Sequence, residues 1–333
     1  MAASLRQHWL RALALIAFLV LLGAVPRISP SPYVLTVGVF IALNAMVVFG
    51  LSLLMGYAGQ ISLGHGAFYG LGAYVSAIAT TRSSHPLNPW LGIVLGMALT
   101  GVLAWLVGRP TLRLRGHYLA MATLGLGIII QIVFQEATGL TQGHDGISGI
   151  PALTLGSFEL NSDARFYYLA WPVALLVMLL SWNIVNSRVG RALRAIHDSE
   201  LAAATSGVDT ARCKVQIFVL SAIYASLAGS LYAHYIRYIS PNTFGFSLSI
   251  SLVVMVVVGG SRSLWGVLIG TALMTVLREL LLKLGAAVPK LEHSDVVLFG
   301  LILMLVVIFA PQGLASLPRR LAQFGRRRAA TNA

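Results

Sequence analysis

The sequence predicts an all-α polytopic membrane protein of about ten transmembrane helices, and three observations predict it. Hydrophobic residues make up 57% of the chain and charged residues only 10%, against roughly 45–50% and 25% in soluble domains. Ten carboxylates cannot solvate a 35.5 kDa globule, so a soluble enzyme is excluded. A disordered chain is excluded as well, because such chains are poor in apolar residues and rich in charge. The apolar residues gather in runs near the roughly 20 residues that cross a ~30 Å hydrocarbon core. Finally, the 23 basic residues, nearly all arginine, stand between those runs. That is the placement of an orientation signal rather than of a nucleic-acid-binding face.

The runs lie at about 10–25, 33–54, 62–80, 90–108, 117–136, 166–185, 215–235, 245–258, 264–284 and 296–312. The first follows Arg6 and Arg11 and ends near Gly23-Ala24, a pattern that also admits a cleaved signal peptide. Pro26 and the lack of a small-x-small site after the run favour a retained helix. The eighth is short and ends in Gly259-Gly260, which predicts a tilted or broken helix. Two connections are too long for simple turns, 137–165 and 186–214, and long ordered loops tend to carry function.

Alternation from an inner N-terminus sorts the charge. The inner segments then hold Arg6, Arg11, Arg109, Arg113, Arg115, Arg188, Arg191, Arg194, Arg212, Lys214, Arg262, Arg319, Arg320 and Arg326 to Arg328, with only Asp198, Glu200 and Asp209 as acids. The outer segments hold equal numbers of basic and acidic residues. The whole excess of +13 therefore falls on one side, as the positive-inside rule requires. Both termini are expected in the cytoplasm, with an even number of spans. The terminal arginines anchor the tail to anionic lipid.

Several chemistries have no residues to carry them. The chain has no Gly-Lys dipeptide and hence no phosphate-binding P-loop, no His-Glu-x-x-His metal motif and no G-x-S-x-G elbow. The eight histidines never stand three or four apart, and one cysteine, Cys213, makes neither a disulfide nor a thiolate metal site. No metal site is expected. Glu136 and Glu279 sit near the outer ends of their runs, so the mid-membrane carboxylate of a proton-coupled carrier is missing. Energy for uphill transport would have to come from another chain.

Two segments carry positive information. The first, Gly56 to Tyr74, contains Gly59, Gly64, Gly66, Gly70 and Gly72 among its glycines. Small residues let membrane helices approach closely, and Gly66-x-x-x-Gly70 is a packing pattern. The same glycines weaken the helix, so an unwound stretch near Gly59–Gly64 is expected, of the kind that presents helix ends to a substrate near the midplane. Gln60, Ser62 and His65 are then the candidate lining of a substrate pathway; the alternative is that the glycines serve packing and the polar side chains only satisfy neighbouring backbone. The second segment is the inner loop, helical from about Val189 to Ser206 and closed by Gly207. Val189, Leu193 and Ile196 recur at helical spacing, with Arg191 and Arg194 elsewhere on the surface. A short helix with Ala202 and Ala203 as a smooth face suits docking into a soluble partner, and an interfacial helix lying on lipid is the alternative.

These segments, with Arg113-Leu114-Arg115-Gly116-His117-Tyr118, the outer loop Gly143 to Pro151, and Gly190-Arg191-Ala192-Leu193-Arg194 onward to Gly229, resemble the LivM-type permease subunits of ATP-binding-cassette importers for branched-chain amino acids. The resemblance runs over 33–315, leaving 1–32 as an N-terminal helix with the first outer turn and 316–333 as a basic cytoplasmic tail. It implies no enzymatic activity and no cofactor in this chain, with ATP and Mg on separate ATPases. It also implies a second related permease, two cytoplasmic ATPases, an extracytoplasmic solute-binding protein and a place in the bacterial inner membrane. By the same resemblance Arg191, Arg194, Leu201, Ala202, Ala203 and Gly207 form the ATPase-coupling loop, and Gly143, Asp145 and Gly146 the outer loop near the substrate or its binding protein. Two departures stand out. The loop has Leu201 where import permeases carry glutamate, and Thr141-Gln142-Gly143 where the family has Thr-Gly-Gly. Permeases of similar appearance serve urea, short amides and aromatic acids, and a self-contained carrier or channel is the alternative from another class.

Overall fold

The computed structural model describes residues 20, 22–28, 31–82, 87–114, 116–156, 158–287 and 304. Eight of the ten expected spans coincide with helices there: α1 Pro32–Leu51, α2 His65–Thr81, α3 Pro89–Thr111, α4 His117–Glu136, α5 Asp163–Asn186, α8 Thr210–Ile236, α9 Phe246–Gly259 and α10 Leu264–Ala287. The span at 296–312 lies outside the described residues apart from Met304, and of the span at 10–25 only 20 and 22–25 are described. Among the described residues, seven segments are long and apolar enough to cross a membrane. α2, at 17 residues, is about 25 Å long, short of a full hydrocarbon core.

Local chemistry sets the helix starts. Pro32 and Pro89 stand at first helical positions, where a missing N–H costs nothing. Asn88, Ser162, Ser187, Ser199 and Asp209 each accept a hydrogen bond from a backbone N–H of the helix that follows. The helical backbone at 22–28 runs past the end expected near Gly23-Ala24 and includes Pro26. It is tied to α5, where the Tyr167 and Tyr168 hydroxyls donate to the Leu22 and Gly23 carbonyls at 3.2 and 3.1 Å.

α8 is the axis of the bundle and packs against α1, α2 and α3. The approach is close enough that a Cβ on Gly229 would stand 1.8 Å from the Tyr69 carbonyl oxygen, and Ser230 Oγ donates to the Gly72 carbonyl at 2.9 Å. Lipid tails give helices no hydrophobic reason to associate, so small residues and interhelical hydrogen bonds hold the contact. α1 also packs against α5 and α10, and α9 pairs with α10.

Two expectations change in detail. The inner loop is two helices, α6 Arg188–Asp198 and α7 Glu200–Thr205. Ser199 adopts extended backbone between them and turns its hydroxyl to the Ala202 N–H, because a serine offers the next helix a cap in place of continuing the last one. The outer loop adds a little β structure to a helical fold. β1 Ile147–Ser148 pairs antiparallel with β4 Tyr238–Ile239, and β2 Thr154–Leu155 pairs with β3 Phe158–Glu159. α9 has only 14 residues and is preceded by a 3-10 turn, Pro241–Phe244. It therefore spans about 21 Å, as the short run predicts.

Candidate functional site

α1 does not end cleanly. It passes into a π-helical turn, Ser52–Tyr57, so the continuous segment Pro32–Tyr57 is 26 residues and about 39 Å long. The backbone then leaves helical form at Ala58, takes positive φ (69°) at Gly59 and re-enters a helix at His65. The expected break is present, and it follows 26 residues of continuous helical backbone. It folds back into the bundle. Leu63 N–H donates to Thr123 Oγ1 at 3.0 Å, six residues into α4 and so about 9 Å from that helix's start. A Cβ on Gly64 would lie 2.6 Å from the Thr123 carbonyl oxygen, one on Gly66 2.6 Å from Ser249 Oγ, and one on Gly70 2.8 Å from both the Phe134 ring and Phe244 Cβ.

Ser62 and His65 come together in a buried relay, while Gln60 does not join them. Ser62 Oγ lies 3.1 Å from His65 Nδ1, and His65 Nε2 lies 2.9 Å from Ser221 Oγ on α8. Ser221 gives its own proton to the Phe218 carbonyl at 2.9 Å. The tautomer follows: Nε2–H donates to Ser221, and Nδ1 accepts from Ser62. Gln60 is half-buried at the edge of the break beside exposed Gly59 and Ile61, and its amide donates to the Ala58 carbonyl at 3.0 Å. The cleft bounded by Leu63, Ala67, Gly127, Phe244 and Ser249 holds about 10 Å³, room for hardly one water.

The α6–α7 hairpin stands at the same end of the bundle. Leu193 and Ile196 are buried, and Arg194 Nη1 donates to the Val185 carbonyl at 2.9 Å, which fixes α6 on α5. Arg191 is exposed. Leu201 is 75% exposed and Ala202 is exposed, but Ala203 is buried at 3%. The two alanines therefore do not share a smooth outer face, since consecutive helical residues point about 100° apart. The outward surface is Leu201, Ala202 and Ala204, and Gly207, with φ of +84°, leaves open space beside it.

Arg262, in the turn between α9 and α10, was not among the site residues expected from sequence. Its Nη2 donates to His197 Nδ1 at 3.0 Å and Asp198 Oδ1 at 3.2 Å, and its Nε donates to the Gly56 carbonyl at 3.3 Å. Its own carbonyl accepts from the Tyr57 hydroxyl at 2.7 Å, and Ser52 Oγ donates to the Ser261 carbonyl at 2.7 Å. One side chain thus joins the end of α6 to the π-helical turn that leads into the break. The available signal was a single cation in a short inner turn after Gly259-Gly260.

The outer loop is latched at the other end. Gly143 and Gly146 both have positive φ, and a Cβ on Gly146 would lie 2.1 Å from the Ile239 carbonyl oxygen. Asp145 is exposed, and its carbonyl accepts from the Tyr238 hydroxyl at 3.1 Å. His234 Nδ1 donates to the Pro151 carbonyl at 2.8 Å, which leaves Nε2 to accept from Ser76 Oγ at 2.8 Å. Trp90 Nε1 adds a bond to the Thr154 carbonyl at 2.7 Å. Among the described residues no group of histidine, cysteine or acidic side chains could hold a metal ion.

Comparison with known proteins finds that residues 33–307 match the family described as "Branched-chain amino acid transport system / permease component". The chain is 34% identical over 293 residues to the high-affinity branched-chain amino acid transport system permease protein LivM of Escherichia coli, covering 81% of this chain and 67% of that one. It is 29% identical over 288 residues to the permease protein LivH of Salmonella typhimurium, covering 82% and 91%. It is also 29% identical over 299 residues to BraD of Pseudomonas aeruginosa, covering 85% and 94%. Among solved structures, PsaBC from Streptococcus pneumoniae in complex with Fab aligns at a TM-score of 0.44 and 14% identity, over 85% of this chain and 94% of that chain.

Proposed function

The chain belongs to the branched-chain amino acid transport permease family, a multi-pass membrane protein and not an enzyme, and from that premise we propose how it moves its substrate. It is one of two related permease subunits in an ATP-binding-cassette importer of the bacterial inner membrane. It has ten spans and both termini in the cytoplasm, and its cargo is a branched-chain amino acid delivered by an extracytoplasmic binding protein. Two cytoplasmic ATPases bind ATP and Mg; this chain needs no cofactor of its own. Leucine is preferred to urea, short amides and aromatic acids because the LivM, LivH and BraD relatives carry branched-chain names.

The Arg262 clamp carries the reading. The α6–α7 hairpin offers Leu201, Ala202 and Gly207 to an ATPase, with Arg191 and Arg194 on its flank and Ala203 packed inward to seat it. Movement of the hairpin is transmitted by Arg262 to Gly56 and Tyr57, and through the Gly59–Gly64 break to the Ser62–His65–Ser221 relay. The tight cleft at Leu63 and Phe244 has no room for an amino acid, which supports a pathway lying between two permeases, edged by Gln60. Gly143, Asp145 and Gly146 face the binding protein on the other side.

The test is uptake of labelled leucine into proteoliposomes holding the complete complex, with urea, acetamide and phenylalanine as competitors. ATP-dependent leucine uptake that the others do not compete supports the reading. Uptake independent of ATP and driven by an ion gradient would overturn it.

A further inference from the structure

We infer that the groove between α3 and α8, next to the coupling hairpin, is a binding site for the headgroup of an anionic phospholipid of the leaflet on that side. The groove encloses about 1150 Å³ and opens on the bundle's outer surface. Gly101 lies against Val219 and Ile223 and Gly108 against Phe218, so the two helices stay in contact along one flank of the groove, and Pro110 stands in the last turn of α3.

Its walls are graded along the helix axis. Toward the bilayer they are Val215, Val219 and Ile223, at i, i+4 and i+8 on α8, facing Trp105 of α3. At the open end stand Arg109, Arg113 and Arg212, all exposed. Arg109 lies 3.9 Å over the Trp105 ring, which holds its guanidinium at the level where an indole prefers to sit in a membrane interface.

The other charges of the groove are already engaged. Lys214 is buried, with its ammonium 2.7 Å from Glu200 and 3.0 Å from the Leu112 carbonyl, and Asp209 caps α8 through the Arg212 N–H at 2.9 Å. None of the three arginines has a carboxylate within ion-pair distance among the described residues. Three guanidiniums above an apolar slot match one phosphate above acyl chains, and arginine is suited to phosphate by its planar fork of donors. A soluble ATPase surface would fit the arginines but leave Val219 and Ile223 uncovered; a sister permease would fit the apolar wall but bury the arginines without partners.

The test uses the tagged full chain with its co-purifying subunits in phosphatidylcholine nanodiscs. Phosphatidylglycerol or additional phosphatidylcholine is added with bromine on the acyl chain near the headgroup. The Trp105 signal is isolated by difference from Trp105→Phe. Brominated phosphatidylglycerol should quench Trp105 several-fold more than brominated phosphatidylcholine at equal content. Arg113→Gln and Arg212→Gln should each lower that preference about fivefold, as expected for one surface cation near an anionic leaflet. Arg113→Lys and Arg212→Lys, which keep the charge, should retain most of it and control for folding. Equal quenching by the two lipids, a preference unchanged in the glutamine variants, or quenching by neither would overturn the site; the last would mean that protein covers the groove. The outcome does not depend on whether leucine is the cargo.

Discussion

Arg262 Nη2 donates to His197 Nδ1 across 3.0 Å, joining residues 65 positions apart in the chain. Because a guanidinium only donates, Nδ1 of His197 is the acceptor in this contact. The contact brings the last turn of α6 against the turn that also holds Gly56 and Tyr57. Two connections that look unrelated in sequence are therefore held together at one end of the bundle.

Arg262→Ala should separate coupling from stability. Its ion pair with Asp198 is exposed on both sides, so the stability loss should stay near ~1 kcal/mol or less. Substrate-stimulated ATP hydrolysis by the complex should continue while leucine uptake falls several-fold. Wild-type uptake in that variant would show that Arg262 transmits nothing.

The proposed docking surface is tested at Leu201 and Gly207, both exposed. Leu201→Glu puts a charge in place of an apolar side chain that is 75% exposed, and Gly207→Trp fills open space at a positive-φ position at an αL cost of about 1–2 kcal/mol. Both variants should reach the membrane, lose the ATPases on purification and lose uptake. Retained co-purification and retained uptake in both would remove the hairpin from the interface.

Burial divides the substrate-edge residues. Gln60→Ala removes a half-buried side chain bonded only to its own turn, so stability should change by no more than about 0.5 kcal/mol, and a fall in uptake would be a pathway effect. His65→Ala strands the hydroxyl of Ser62 in a buried site, at a cost of roughly 1–3 kcal/mol. Thermal unfolding in detergent should rank His65→Ala well below Gln60→Ala; equal melting temperatures would contradict the relay.

Lys214 gives a charge-burial test. It is 3% exposed and 2.7 Å from Glu200. Glu200→Gln leaves the ammonium buried beside the Leu112 carbonyl without its carboxylate, and should destabilise by about 3 kcal/mol. Adding Lys214→Met should restore most of the loss. A double variant no more stable than Glu200→Gln would show that the pair is not the source of the effect.

Close helix contact predicts a steep steric penalty. Gly229→Ala puts a methyl 1.8 Å from the Tyr69 carbonyl oxygen, and backbone cannot yield as a side chain can, so the loss should reach or exceed about 3 kcal/mol. Gly139→Ala, with nothing within 4 Å, is the matched control and should be silent in the same melting assay.

Hydropathy and charge order were enough to read the class of protein, the eight spans that coincide with described helices, and the long loops, because bilayer thickness and backbone satisfaction act on each segment alone. Gly207 as a stop and the break after Gly59 were legible for the same local reason: glycine's backbone freedom is a property of one residue. The split of the 186–214 connection at Ser199 was not, since Val189 to Ser206 carries continuous helical spacing and only the cap geometry chooses between one helix and two. Nor could sequence separate buried Ala203 from exposed Ala202, or pair His65 with Ser221 across 156 positions. Those depend on which faces meet when α8 packs on α1, α2 and α3. The same packing placed Arg262 against His197. Sequence alone determined what each segment is; tertiary structure decided which segments touch, because contacts between distant residues exist only once the bundle closes.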